Sequence, residues 1–172
     1  FCTMDNLDER KKKLAFHAIE RMQEISESLM LKYRSKKQVD DKILQDQELA
    51  DIIEQVVAEK RFFLPKEIEL RTNLKKDCEM KVTANQAREL KRILSNMLNN
   101  SIEAIYKKSE TGTIKVDLYT SEGKKVISVQ DNGCGIPQEI LGQLGRPGFS
   151  YNKKNGHGLG LCRAKYMMNR WR

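Results

Sequence analysis

The chain has 172 residues, 39% of them hydrophobic and 33% charged, with 32 Lys and Arg against 24 Asp and Glu and a net charge of +8. That length suits one domain, or one small domain with an appendage. No apolar run approaches the roughly 18 to 20 residues of a membrane span. The start Phe1-Cys2-Thr3-Met4-Asp5 lacks the basic and apolar stretches of a signal peptide. These features exclude a membrane core, a collagen-like fibre and a disordered tail.

In chain order, residues 1–38 read as a first unit, with a long helix over about 8–37. Ala15, Ala18, Met22, Ile25 and Leu29 recur at steps of three and four, the seam of a helical hairpin or coiled coil. Such a seam needs a partner helix, from upstream or from a second subunit. Residues 39–47 are polar and read as a linker, and residues 48–172 as a second domain. There, Leu49, Ile52, Ile53, Val56 and Val57 form the stripe of an amphipathic helix. Residues 67–74 and 80–83 read as short strands. A third helix is expected over 86–107, with Leu90, Ile93, Leu94, Met97, Leu98 and Ile105 apolar. Residues 113–120 and 125–130 alternate as a hairpin around Ser121-Glu122-Gly123-Lys124. Pro137 is placed in the first turn of a short helix. Residues 142–155 read as a mobile Gly-, Asn- and Lys-rich segment, and 159–171 as a last helix. Helices and strands without strict alternation imply an α+β fold, a two-layer sandwich.

The excess charge is local. Residues 141–172 carry seven basic side chains (Arg146, Lys153, Lys154, Arg163, Lys165, Arg170, Arg172) and no acidic one, while the rest hold 25 basic and 24 acidic. A uniformly basic surface would suggest nucleic acid; a local basic segment suggests a local anion. Cys2, Cys78, Cys134 and Cys162 are widely spaced with no C-x-x-C pair. They read as free thiols in a reducing cytoplasm, not a disulfide framework or zinc site.

Three segments can carry chemistry. In Asn96-Met97-Leu98-Asn99-Asn100-Ser101-Ile102-Glu103, the side chains of Asn96, Asn100 and Glu103 share one helix face. They form either a solvated helix edge or a row of oxygen ligands suited to Mg²⁺. Asp131-Asn132-Gly133-Cys134-Gly135-Ile136-Pro137 directly follows a strand. Its glycines permit a sharp turn and close approach to a ligand, and Asp131 can accept a hydrogen bond from an exocyclic amine; an ordinary strand-to-helix turn fits equally. Gly156-His157-Gly158-Leu159-Gly160-Leu161 opens the last helix. Backbone N–H groups at a helix start make an anion site, although a flexible connection also fits.

In this order, the three segments resemble the N, G1 and G2 boxes of bacterial sensor histidine kinases, within the wider gyrase, heat-shock-ninety, histidine kinase and MutL ATPase group. Gly148-Phe149-Ser150 resembles the family's F box. The resemblance implies a mixed sheet packed on helices, with ATP held between the third helix and a lid at 138–155. It implies that Asn100 binds Mg²⁺ with Asn96 in support, that Asp131 recognises adenine, and that Gly133 and Gly135 let the base approach. Gly156, His157, Gly158, Leu159 and Gly160 would surround the phosphates, with Lys153, Lys154 and Arg146 as phosphate neighbours. Where the group's ATP-hydrolysing members carry a Glu base, this chain has Asn96, which fits phosphoryl transfer rather than water activation.

Residues 1–38 then read as the second helix of a dimerisation and phosphoacceptor hairpin. His17 has no acid beside it and no following proline, so it is an ordinary helix residue and the acceptor histidine is expected upstream. The family's last strands are expected beyond Arg172. The implied partners are a response-regulator receiver domain and a second copy of the chain, with no nucleic acid. The kinase portion would be cytoplasmic, with membrane contact only through parts outside this chain, and inner-membrane anchoring of the parent is left open. The alternative is a catalytically inactive ATP-binding scaffold of the same fold.

Overall fold

The computed structural model describes residues 46–75, 78–149, 151 and 159–171. The chain divides into two units, Phe1–Ile43 and Leu44–Arg172, and every described residue lies in the second. The helix expected within residues 1–38, His17 included, lies outside the described residues. Gln47, placed in the linker by its sequence, pairs with Val82 in a short antiparallel ladder between β1 (Gln47–Glu48) and β3 (Lys81–Val82).

Helix α1 (Leu49–Phe63) buries Leu49, Ile52, Ile53, Val56 and Val57, the stripe read from the periodicity. In its last turn, Arg61 donates through Nε and Nη2 to the Leu70 carbonyl at 3.1 and 2.8 Å, tying the helix end to strand β2 (Ile68–Leu74). Helix α2 (Ala84–Lys108) starts two residues earlier than expected. The cause is a capping box: the Gln86 N–H donates to Thr83 Oγ1 at 3.3 Å, and the Thr83 N–H donates to Gln86 Oε1 at 2.9 Å. Strands β4 (Gly112–Ser121) and β5 (Lys124–Asp131) form the expected hairpin. Glu122 and Gly123 turn it with φ of 50° and 73°, the two positive angles of a type I′ turn.

Helix α3 (Gln138–Leu141) is short, and Pro137 is its N-cap rather than a residue of its first turn. Turns continue to residue 149, and helix α4 (Leu159–Arg170) follows.

The main sheet has the order β2-β4-β5. Strand β2 is parallel to β4, with Leu70 opposite Ile114; β4 is antiparallel to β5, with Val116 opposite Val129. A parallel pair requires a crossover connection, and α2 lies in it. Ile68, Leu70, Ile114, Val116 and Leu118 form one sheet face, and Ile52, Ile53, Leu94, Leu98 and Ile105 of α1 and α2 complete the core with them. This is the expected α+β sandwich of a mixed sheet packed on helices. Trp171, just past α4, packs against the same core. The other sheet face carries polar side chains, among them the exposed pair Arg71 and Glu69 at 2.6 Å. A hydrogen bond from Arg71 holds the Glu69 carboxyl below its ordinary value. Among the described residues, no helix is long and apolar enough to cross a membrane.

Leu98 is 1% exposed. Leu98→Ala should lower stability by about 2–5 kcal/mol through lost burial and the cavity left behind. Denaturant unfolding would show a lower midpoint at unchanged slope; an unchanged midpoint would remove Leu98 from the load-sharing core.

Candidate functional site

Helix α2 has two working faces. Leu90, Leu94, Leu98, Ile102 and Ile105 are buried on one. At 100° per residue, Glu89, Asn96, Asn100 and Ala104 line up on another side of the helix. Asn99 does not belong to that line: its Oδ1 accepts from Lys60 Nζ of α1 at 2.6 Å.

The C-terminal part of the line holds the loop after β5. Asp131 ends β5 directly opposite Ile114, which is 0% exposed. Residues directly opposite share a sheet face, so Asp131 stands on the helix-covered face at the end of the sheet. Its Oδ1 accepts from the Gly133 N–H at 2.9 Å. Asn132 Oδ1 accepts from the Thr113 N–H at 2.9 Å, and the Asn132 carbonyl accepts from Lys108 Nζ at 2.8 Å. The Cys134 N–H donates to the Ala104 carbonyl of α2 at 2.9 Å. A Cβ on Gly133 would lie 2.5 Å from the Ala104 carbonyl carbon and 2.7 Å from its oxygen. Glycine at 133 is therefore required for packing of the loop on α2. Gly135 is different: it has φ of 69° and open space where a Cβ would project, so its requirement is conformational.

The N-terminal part of the line holds α4. A Cβ on Gly160 would lie 3.3 Å from both Cγ and Nδ2 of Asn96, so the first turn of α4 rests against that carboxamide. Three residues on, Arg163 donates from Nε to Glu89 Oε2 and from Nη2 to Glu89 Oε1, each at 2.8 Å. Arg92 Nη1 lies 3.8 Å from the same carboxylate. Part of the segment expected to be a lid also lies beside α4: a Cβ on Gly145 would be 3.5 Å from the Leu161 carbonyl oxygen.

Asn96 and Asn100 thus lie on one side of α2, Gly133 and Gly160 pack against it, and Asp131 and Gly135 flank Gly133 in the loop after β5. Asn96 and Ala104, which mark the two attachments, are eight residues apart, about 12 Å along the helix. Asn100 stands midway. Leu159 opens α4 as expected. Lys153, Lys154, Gly156, His157 and Gly158 lie outside the described residues. Arg163, one of the seven basic residues counted in 141–172, is committed to Glu89. Sequence reasoning did not single out Glu89 or Ala104. Glu89 lies seven residues before Asn96, on the same helix line, which was the one local signal for it.

Gly133→Ala and Gly135→Ala should separate the two glycine roles. Gly135→Ala should cost about 1 kcal/mol, the strain of a left-handed alanine. Gly133→Ala should cost more and remove hydrogen-exchange protection from the Cys134 amide. Equal losses with the amide still protected would argue against tight packing on Ala104.

Residues 85–171 match the family described as the histidine kinase-, DNA gyrase B-, and HSP90-like ATPases. Sporulation kinase C of Bacillus subtilis is 41% identical over 73 residues, covering 42% of this chain and 16% of that protein. The signal transduction histidine-protein kinase AtoS of Escherichia coli is 37% identical over 87 residues, covering 49% of this chain and 14% of that protein. The chain thus spans less than a fifth of the length of these relatives. Among solved structures, the catalytic domain of histidine kinase ThkA superposes with a TM-score of 0.60 at 26% identity, over 74% of this chain and 80% of that one. The mycobacterial sensor histidine kinase MprB shares the fold at 20% identity and a TM-score of 0.60, over 73% of this chain and 80% of that one. With a sandwich of this topology, and a matched region that runs from α2 through α4 and covers half of the sequence, the chain belongs to the histidine kinase-, DNA gyrase B- and HSP90-like ATPase family.

Proposed function

We propose that this chain is the ATP-binding catalytic part of a two-component sensor histidine kinase. It directs Mg-ATP-dependent phosphoryl transfer to a histidine outside the chain, from which the phosphate passes to an aspartate of a response-regulator receiver domain. The observation that carries this reading is the attachment of the Asp131 loop and the start of α4 to one side of α2, with Asn100 between them. An adenine at one end and phosphates at the other would span that interval. The parent protein is read as a homodimer through its helical hairpin, with the kinase portion in the cytoplasm.

The residues suit the task. Asp131 spends Oδ1 on the Gly133 N–H, which leaves Oδ2 to accept from the adenine amino group. The N-terminus of α4 offers the backbone N–H groups of its first turn and the positive end of the helix dipole to phosphate oxygens. Among the described residues, no group of three or more His, Cys, Asp or Glu could cage a metal. A cation there would take the Asn100 carboxamide oxygen and complete its shell with phosphate oxygens and water, a donor set suited to Mg²⁺. When bound, Mg²⁺ would neutralise charge on the phosphates. Asn96 cannot act as a general base toward water, so the site favours positioning ATP for a protein acceptor.

The full-length protein incubated with γ-labelled ATP should acquire acid-labile, base-stable label. Absence of label with intact nucleotide binding would favour the inactive-scaffold reading. Asn100→Ala should weaken Mg²⁺-dependent nucleotide binding roughly tenfold or more; unchanged affinity by titration calorimetry would overturn the metal role. Asp131→Asn keeps an oxygen for the Gly133 N–H and can place an amide donor where Oδ2 stood. It should lower ATP affinity while leaving the apo melting temperature unchanged, and an equal loss of both would make Asp131 a structural residue.

A further inference from the structure

We infer that the Arg163–Glu89 ion pair is a positioning clamp, which seats the start of α4 against Asn96 and so sets nucleotide affinity without touching the nucleotide. The inference rests on the reading of this site as an ATP site. Its physical basis is the way α4 is attached. Leu161, Tyr166 and Met168 of α4 remain exposed at 38%, 59% and 42%, so apolar burial holds this helix less firmly than α1 or α2. Two attachments stand out. At its end, Trp171 packs on the core. Near its start, Arg163 meets both oxygens of Glu89 in a two-pronged pair, with side-chain exposures of 28% and 15%.

The planar guanidinium fork fixes orientation as well as distance. The pair lies one turn from Gly160, whose backbone is already against Asn96. A rotation or slide of α4 that broke the fork would also move Gly160 along α2 and shift the helix N-terminus relative to Asn100. Removing Arg163 would leave Glu89 only the longer contact to Arg92 at 3.8 Å, which lies on α2 itself and does not reach α4, so the docked position is coupled to the intact pair. If the docked form is the one that receives phosphates, apparent affinity falls in proportion to the docked fraction.

The test uses the 172-residue chain, a fluorescent trinitrophenyl-ATP probe with Mg²⁺, and the emission of Trp171, the one tryptophan in the sequence. Arg163→Met should weaken probe binding about tenfold and red-shift Trp171 emission while circular dichroism shows the fold retained. Arg163→Lys keeps the charge but loses the fork, so it should fall between. Exchanging the pair, Glu89→Arg with Arg163→Glu, together with Arg92→Gln so that the new arginine meets no like charge one turn on, should restore both readouts toward those of the unaltered chain. Unchanged affinity in a folded Arg163→Met protein overturns the clamp. So does an exchange that restores melting temperature but not affinity. If Arg163→Met fails to fold, the Lys variant and the exchange decide the same question. If the unaltered chain binds no probe, the ATP reading fails, and the Trp171 shift still shows whether the pair seats α4.

Discussion

Much of the site depends on how closely two backbone segments approach one side of α2. At Ala104 that approach is backbone to backbone, with the Cys134 amide on the helix carbonyl and no room for a Cβ on Gly133. At Asn96 it is helix backbone on a side chain, with Gly160 against the carboxamide. These contacts place the loop after β5 and the first turn of α4 at fixed heights on the same helix, with Asn100 between. Neither segment could hold that spacing by itself, because each is short and rich in residues with broad conformational freedom.

The rigidity of α2 comes from its other sides. Its capping box fixes the N-terminal turn, Leu94, Leu98 and Ile105 lock it into the core, and Asn99 ties it to Lys60 of α1. The 3.6-residue period lets one helix pack a core and present a site, since residues on opposed faces do not compete for neighbours. The same period separates the three asparagines: Asn96 and Asn100 lie four apart on one side of α2, while the Asn99 side chain meets Lys60 of α1.

The two attachments are not equally firm. The loop after β5 continues a strand of the central hairpin and is held by Asn132 bridging to Thr113 and by Lys108 at the end of α2. Helix α4 buries less apolar surface and depends on a charged fork and a terminal tryptophan. Elements with few buried apolar contacts sit at the low end of local stability. The element nearest the expected phosphates is therefore also the one most open to adjustment, whereas the Asp131 end is built into the sheet.

Most of the fold was legible in the residue order. The stripe from Leu49 to Val57, the hairpin turn at Glu122-Gly123 and the apolar face of α2 each depend on neighbours within a few positions. Local periodicity and turn chemistry therefore suffice for them. The order of the motifs likewise marked Asn96, Asn100, Asp131 and the glycines before any contact was known. Differences at this level are small: α2 starts two residues early at the Thr83-x-x-Gln86 capping box, Gln47 joins a short strand instead of the linker, and Pro137 is an N-cap. Tertiary structure alone decided what those residues touch. Gly133 is needed because the Ala104 backbone comes against it, across 29 positions, and Arg163 is paired with a carboxylate 74 positions away. Residue order encodes what each segment can become, but a contact between distant segments exists only after the core has set their distance and angle. That is why candidate site residues can be named from their order alone, whereas what each of them packs against cannot.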